Sequence, residues 1–222
     1  MRVVFWNCNG GFRNKIDCLL TLKADLYIVA EAEDPDKIKN QNYLSQVKEQ
    51  RYLKFSRDRK GLLLFTFSND LIQPLNWQNY RMRYFYPFTF RGFTFLGLWA
   101  KDNYIEDIYL YTSFHLKDLK KSILIGDFNS NVKWDNDHGY RTHSDFNNLM
   151  KQINHVSAYH YQERVSFGQE QQATFYMYRH YDRPYFIDYA YLPRDQAFHI
   201  SYGDAKTYLV YSDHIPVILD LK

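Results

Sequence analysis

Ile123-Leu124-Ile125-Gly126-Asp127-Phe128-Asn129 reads as a buried strand that stops on a carboxylate and an amide. The run from Ser122 to Ile125 is short and apolar, as a strand covered on both faces requires. Asp127 and Asn129 are two residues apart, so in extended chain they face the same side. A carboxylate beside an amide suits taking a proton from water while holding that water or a phosphoryl oxygen. A buried strand rarely ends in so specific a polar pair without use, and a plain turn is the lesser alternative.

Elements alternate on both sides of this strand. Arg2 to Trp6 reads as a strand, Asn14 to Lys23 as a helix capped by Asn14, and Leu26 to Ala30 as a second strand. Gly61 to Phe67, Met82 to Phe90 and Phe93 to Trp99 carry the aromatic and β-branched residues of strands. Tyr104 to Leu119 and His143 to Ile153 have helical spacing. Ala173 to Tyr178, Phe186 to Leu192, Lys206 to Val210 and Pro216 to Leu221 return to strands. No repeat or linker divides the chain, so residues 1–222 are expected to form one α/β domain of two packed sheets with helices outside.

Composition sets outer bounds. With 222 residues, 45% hydrophobic and 24% charged, a full core is available and disorder is excluded. Aromatics reach 19%, most of them needed for sheet packing, with base stacking the weaker alternative. A net charge of +3 does not by itself indicate a nucleic-acid partner. Cys8 and Cys18 read as reduced, buried thiols. No apolar run approaches the length of a membrane span, and a soluble cytoplasmic protein without membrane insertion is the expectation. No obligate protein partner is evident.

Four more polar clusters stand where apolar strands end. Trp6-Asn7-Cys8-Asn9-Gly10 places two amides before a glycine, a pattern a simple turn also gives. Asp25 to Glu31 ends a strand on a carboxylate, the kind of oxygen ligand a hard cation needs, or on a solvated acidic loop. Tyr185 to Tyr189 buries Asp188 among aromatics, where it needs a partner; a histidine is one candidate and Arg183 the structural alternative. Ser212-Asp213-His214-Ile215-Pro216 sets a carboxylate beside an imidazole.

In this order the five motifs resemble the endonuclease/exonuclease/phosphatase superfamily, which includes exonuclease III, deoxyribonuclease I and the neutral sphingomyelinases. The resemblance spans Val3 to Leu219, and Gly126-Asp127-Phe128-Asn129 and Ser212-Asp213-His214 are its most specific parts. It implies a four-layer α/β sandwich with the site at one edge of two mixed sheets. It also implies roles. Asn7 and Glu31 would lie at metal and phosphate, and Asp127 would orient or deprotonate water. Asn129 would hold the phosphoryl group. Asp213 would help bind metal or support the leaving group, and His214, oriented by Asp188, would stabilise the phosphorane. Asn9 matches the amide of the exonuclease III branch. Mg²⁺, with Mn²⁺ as substitute, is the implied cofactor.

One position departs from the pattern. Where the family sets a phosphate-contacting His or Tyr, this chain has Trp99, with Lys101 two residues on as a possible source of positive charge. The segments after Asn129 are similar to those of small bacterial members. They make His143 and His160 candidate substrate contacts, or else surface or packing histidines. The leading expectation is a metal-dependent nuclease acting on DNA or RNA, favoured by the cations of Arg51 to Lys60. A phosphatase or phosphodiesterase on a small molecule or lipid headgroup comes second, and a non-catalytic binding protein with the same fold third.

Overall fold

The computed structural model describes residues 1–222. Its strands are β1 (Arg2–Asn7), β2 (Leu26–Ala32), β3 (Glu49–Leu53), β4 (Gly61–Thr66), β5 (Gln73–Pro74), β6 (Phe85–Phe90), β7 (Phe93–Trp99), β8 (Ser122–Asp127), β9 (His155–Ser157), β10 (Phe175–Tyr176), β11 (Pro184–Tyr185), β12 (Asp188–Pro193), β13 (Phe198–Tyr202) and β14 (Val217–Leu221). Its helices are α1 (Ile16–Leu20), α2 (Gln41–Gln46), α3 (Ile105–Phe114), α4 (Leu116–Leu119), α5 (His143–Gln152), α6 (Ala158–Glu163) and α7 (Ala205–Tyr208).

One six-stranded sheet has the order β13-β14-β1-β2-β4-β3, the other β5-β6-β7-β8-β12-β9, and β10 and β11 form a small ribbon. Alternation along the strands divides the core in three. Val3, Phe5, Ile28, Phe95, Ile123 and Ile125 fill the space between the sheets. Val4, Trp6, Tyr27 and Val29 face outward into a layer with α1. Leu96, Leu98 and Leu124 face outward under α3 and α5. Helix, sheet, sheet, helix is the four-layer sandwich that the sequence implies. Most of the aromatic content serves this packing: Tyr27 stacks on Phe65 at 4.6 Å and Phe85 on Tyr111 at 4.4 Å.

Each sheet contains one parallel pair, β1–β2 and β7–β8, and all its other pairings are antiparallel. The two parallel pairs face each other across the central core. Their C-terminal ends therefore open at one edge, which is where side chains of the inner layer cease to be apolar.

Several local readings are corrected. Lys206 to Val210 is not a strand; Asp204 accepts a hydrogen bond from Thr207 N at 3.0 Å and caps α7, which local turn chemistry favours over a short extended run. The segment Tyr104 to Leu119 breaks at His115, whose ring is held by Gln78 O at 2.8 Å and stacked on Trp77. Lys15, not Asn14, precedes α1, because a 3₁₀ turn occupies Phe12–Asn14. Of Ala173 to Tyr178, only Phe175 and Tyr176 are strand.

Candidate active site

Asn7, Glu31, Trp99 and Asp127 stand at or beside the C-terminal ends of the four parallel strands. Asn7 and Asp127 meet across the seam, where Asn7 Nδ2 donates to Asp127 Oδ2 at 2.8 Å and to Glu31 Oε1 at 3.2 Å. Asp127 also accepts from Asn129 N at 2.9 Å and Asn129 Nδ2 at 3.2 Å. Asn9, Glu31 and Asn129 all have positive φ, at 51°, 57° and 46°. Such backbone is uncommon outside glycine and persists only where surrounding contacts hold it, a condition typical of functional sites.

Antiparallel pairing of β12 with β8 sets Asp188 opposite Asp127. Asp188 does not pair with Arg183; its Oδ2 lies 2.9 Å from His214 Nδ1. A carboxylate only accepts, so Nδ1 carries the proton and Nε2 points at Asp127 Oδ2, 3.9 Å away. The loop bearing His214 is fixed from three sides. Ser212 Oγ donates to Asn7 O, His214 N donates to Ser212 Oγ, and the Trp6 indole donates to His214 O. Phe175 packs on the imidazole at 4.7 Å.

All three charged groups are buried: Asp127 at 0%, Asp188 at 1% and His214 at 5% exposure. Burial alone pushes the imidazole down, but the charges of Asp188 and Asp127 outweigh it and raise His214 to about 10. Burial and the nearby Asp188 charge push Asp127 well above the usual carboxylate range, against the pull of His214. At neutral pH the site therefore holds an imidazolium facing a carboxylate that takes up a proton readily.

Ligand atoms of Asp127, Asp188 and His214 lie within 4.8 Å of one another, and this buried acidic and histidine cluster fits a metal ion. His214 Nδ1 is already committed to Asp188, so the harder donors lie on the other side of Asp127. There the Glu31 carboxylate draws the Lys60 ammonium onto Oε2, which marks the spot as one that attracts a cation. Glu31 and Asp127 offer carboxylate oxygens suited to a hard divalent ion, both facing the Asn7 amide nitrogen. Asp213, half-exposed, adds negative potential at His214.

The remaining candidates are placed as follows. Asn9 is half-buried beside Asn7, whose Oδ1 accepts from Asn9 N at 3.0 Å. Trp99 is 5% exposed and packs on Tyr84. Lys101 reaches back over both rings and pairs with Asp58, which also takes Arg83 and the Tyr84 hydroxyl. His143 and His160 do not reach the cleft as surface groups; at 0% and 7% exposure they lie behind the Asp127–Asn131 turn. Lys60, Asp58 and Tyr84 were not legible as site residues. They are brought there by long-range pairing: the register of Ala32 with Gly61 carries Lys60 to Glu31.

No family model matches the sequence, and no curated protein matches it. Solved structures do. A 3'-5' exonuclease, NExo, from Neisseria meningitidis superposes with a TM-score of 0.71 at 15% identity over 100% of both chains. A 3'-phosphatase NExo from Neisseria bound to a product DNA hairpin gives 0.72 at 15% identity, covering 100% of this chain and 99% of that one. This is the deoxyribonuclease I-like fold. An AP endonuclease from Archaeoglobus fulgidus shares it at a TM-score of 0.68 and 14% identity, over 100% of this chain and 99% of that one. Within that fold this chain places its polar residues at the same edge from which both sheets open, and no helix is long and apolar enough to cross a membrane.

Proposed function

We propose that this protein is a divalent-metal-dependent phosphodiester hydrolase acting on nucleic acid. The observation that carries the reading is the buried constellation of Asp127, Asn7 and Asn129 facing a His214–Asp188 pair across the seam of the two sheets. Asp127, with its raised proton affinity, takes a proton from the attacking water. The imidazolium of His214 offers its Nε2–H to the oxygen on which charge accumulates, with Asp188 fixing ring and tautomer. Asn129 and Asn7 contribute amide N–H donors to the phosphoryl oxygens. Glu31 and Asp127 would hold Mg²⁺, or Mn²⁺ as substitute, with Asp213 adding negative potential on the His214 side. Once bound, the ion supplies charge neutralisation at the phosphoryl group. Trp99 and Lys101 take the flank where the family places a His or Tyr, with Lys101 released from Asp58 to the phosphate.

Two features favour nucleic acid. Lys54, Arg57 and Arg59 are exposed on the β3–β4 connection that leads to Lys60 and Glu31. On the other flank Phe175, Tyr185 and Trp134 form a contiguous rim of half-buried rings leading away from His214. Because one structural neighbour is described both as an exonuclease and as a 3'-phosphatase, a terminal phosphomonoester on DNA is the second reading. Two free cysteines suit a reducing compartment, and we place the protein in the cytoplasm.

The test is purified protein with DNA, RNA, 3'-phosphorylated oligonucleotide, inositol phosphate and sphingomyelin, in Mg²⁺, Mn²⁺ or EDTA. The expected outcome is hydrolysis of a nucleic-acid substrate with either ion and none with EDTA. Full activity in thoroughly chelated protein would overturn the metal dependence. Turnover of only the small molecule or the lipid would overturn the substrate class.

A further inference from the structure

Behind the Asp127–Asn131 turn runs a buried polar network that the proposed chemistry does not use. Ser130, 0% exposed, has its Oγ 3.2 Å from His143 Nδ1 and 3.1 Å from His138 Nε2. His143 Nε2 lies 3.1 Å from the Tyr191 hydroxyl, which donates to Asn147 Oδ1 at 2.6 Å. Donor accounting fixes the protons. Tyr191 spends its only hydrogen on Asn147, so it accepts from His143 Nε2–H. His143 Nδ1 is then an acceptor and receives the Ser130 hydroxyl proton, and His138 donates to Ser130. Burial, with His160 nearby, pushes His143 down to about 3, which keeps this neutral tautomer.

Asn131, the next residue, is gripped separately. Its amide donates to Phe186 O at 3.0 Å, the Tyr189 hydroxyl at 3.2 Å and Glu170 Oε1 at 3.3 Å. Glu170 Oε1 also accepts from Gly168 N at 2.8 Å and from His160 Nε2 at 3.1 Å, while His160 Nδ1 is 2.8 Å from Ser157 Oγ. Glu170 Oε2 is buried without a hydrogen bond, the Lys133 ammonium being 3.9 Å away. Both branches end on the two residues that follow Asn129, whose φ of 46° needs external support.

We propose that His143 and Glu170 are positioning residues that act through Ser130 and Asn131 to hold the Asp127–Asn129 turn in its reactive geometry. The proposal rests on the reading of Asp127 and Asn129 as the groups facing the phosphate. It explains why two histidines that resemble substrate contacts in sequence are buried instead. A misplacement of about 1 Å can cost on the order of 10²-fold in rate. Loosening either branch is therefore expected to lower kcat and leave KM nearly unchanged.

Ser130→Ala removes the first latch without opening the core, and Glu170→Ala the second; Glu170→Gln keeps an acceptor for Gly168 N and His160 Nε2. Hydrogen exchange of the substrate-free protein is measured over residues 127–134, together with kcat and KM well below the melting temperature. Faster exchange confined to that segment, a kcat lowered roughly tenfold or more at constant KM, and recovery of most of the rate in Glu170→Gln are the expected results. Unchanged exchange there in folded Ser130→Ala and Glu170→Ala, or faster exchange with wild-type kcat, overturns the proposal. Wild-type protein inactive on every substrate defeats the nuclease reading, while the exchange data still decide whether the latch exists.

Discussion

In the proposed mechanism Asp127 and His214 are the residues on which the reaction turns. Asp127→Asn and His214→Asn are each expected to lower kcat by on the order of 10²-fold or more with the fold intact, as for groups acting at the transition state. The double variant is expected to be far from additive, because the two face each other at 3.9 Å and act on one phosphate. Steady-state kinetics with thermal melts check this, and two near-wild-type single variants would place the chemistry elsewhere. The Asp188–His214 pair was legible in sequence in part: burial demanded a partner for Asp188, the motif resemblance named His214, and the fold pairs it with His214 rather than Arg183. The adjacency of Asp127 and Asn129 was readable because they are neighbours in the chain. Lys60 and Glu170 were not, since each acquires its role from a partner 29 or 10 residues away. For His143 and His160 the sequence left substrate contact and packing both open, and the layers around them decide for packing.

Single elements carry two further expectations. Gly126 is the residue of β8 beside Leu98 of β7, and a Cβ there would sit 2.1 Å from the Leu98 carbonyl oxygen. Gly126→Ala must push the parallel strands apart. It is expected to destabilise by roughly 1–3 kcal/mol, as overpacking does, and to cost activity in the folded fraction, because the same pair positions Asp127. The glycine of the motif is thus a packing requirement. Helix α5 begins with a reciprocal capping box, in which Asp145 N donates to Thr142 Oγ1 and Thr142 N to Asp145 Oδ2, both at 3.1 Å. Thr142→Ala is expected to cost about 1 kcal/mol, a fall in Tm of roughly 2–4 °C for a chain of this length. The amphipathic spacing of α5 made it legible from sequence. Four-residue α7 was not, because a run that short has no period of its own, and the Asp204 cap that decides it lies outside the run. Strand β13 escaped for a related reason: its half-exposed residues alternate weakly, and its place is set by pairing with β14.

At the scale of the whole molecule, the order of layers was legible because apolar strands and amphipathic helices alternate along the chain. The pairing of two parallel strand pairs across the core was not, since nothing local encodes it. That core holds His143 neutral, well below its ordinary value, with a sign that can be followed in acid. The native state refuses a proton that the unfolded chain accepts below about pH 6.5. The contribution is complete above pH 6.5 and is lost as the pH falls toward about 3. The stability advantage of wild type over His143→Gln is therefore expected to shrink below pH 6.5 by at most about 1.4 kcal/mol per pH unit. Urea unfolding of both proteins from pH 7 to pH 4 measures it, and a constant difference would mean that His143 takes up its proton in the fold as readily as in the unfolded chain. The pairing of β1 with β14 has a consequence in time. Asn7 leaves the ribosome 205 residues ahead of Ser212, yet the two loops interlock through Ser212 and Trp6. A nascent chain that already displays Asp127 still lacks its imidazole, and β1 still waits for its neighbour. An enzyme of the proposed kind becomes able to cut only once synthesis has passed His214 and supplied β14.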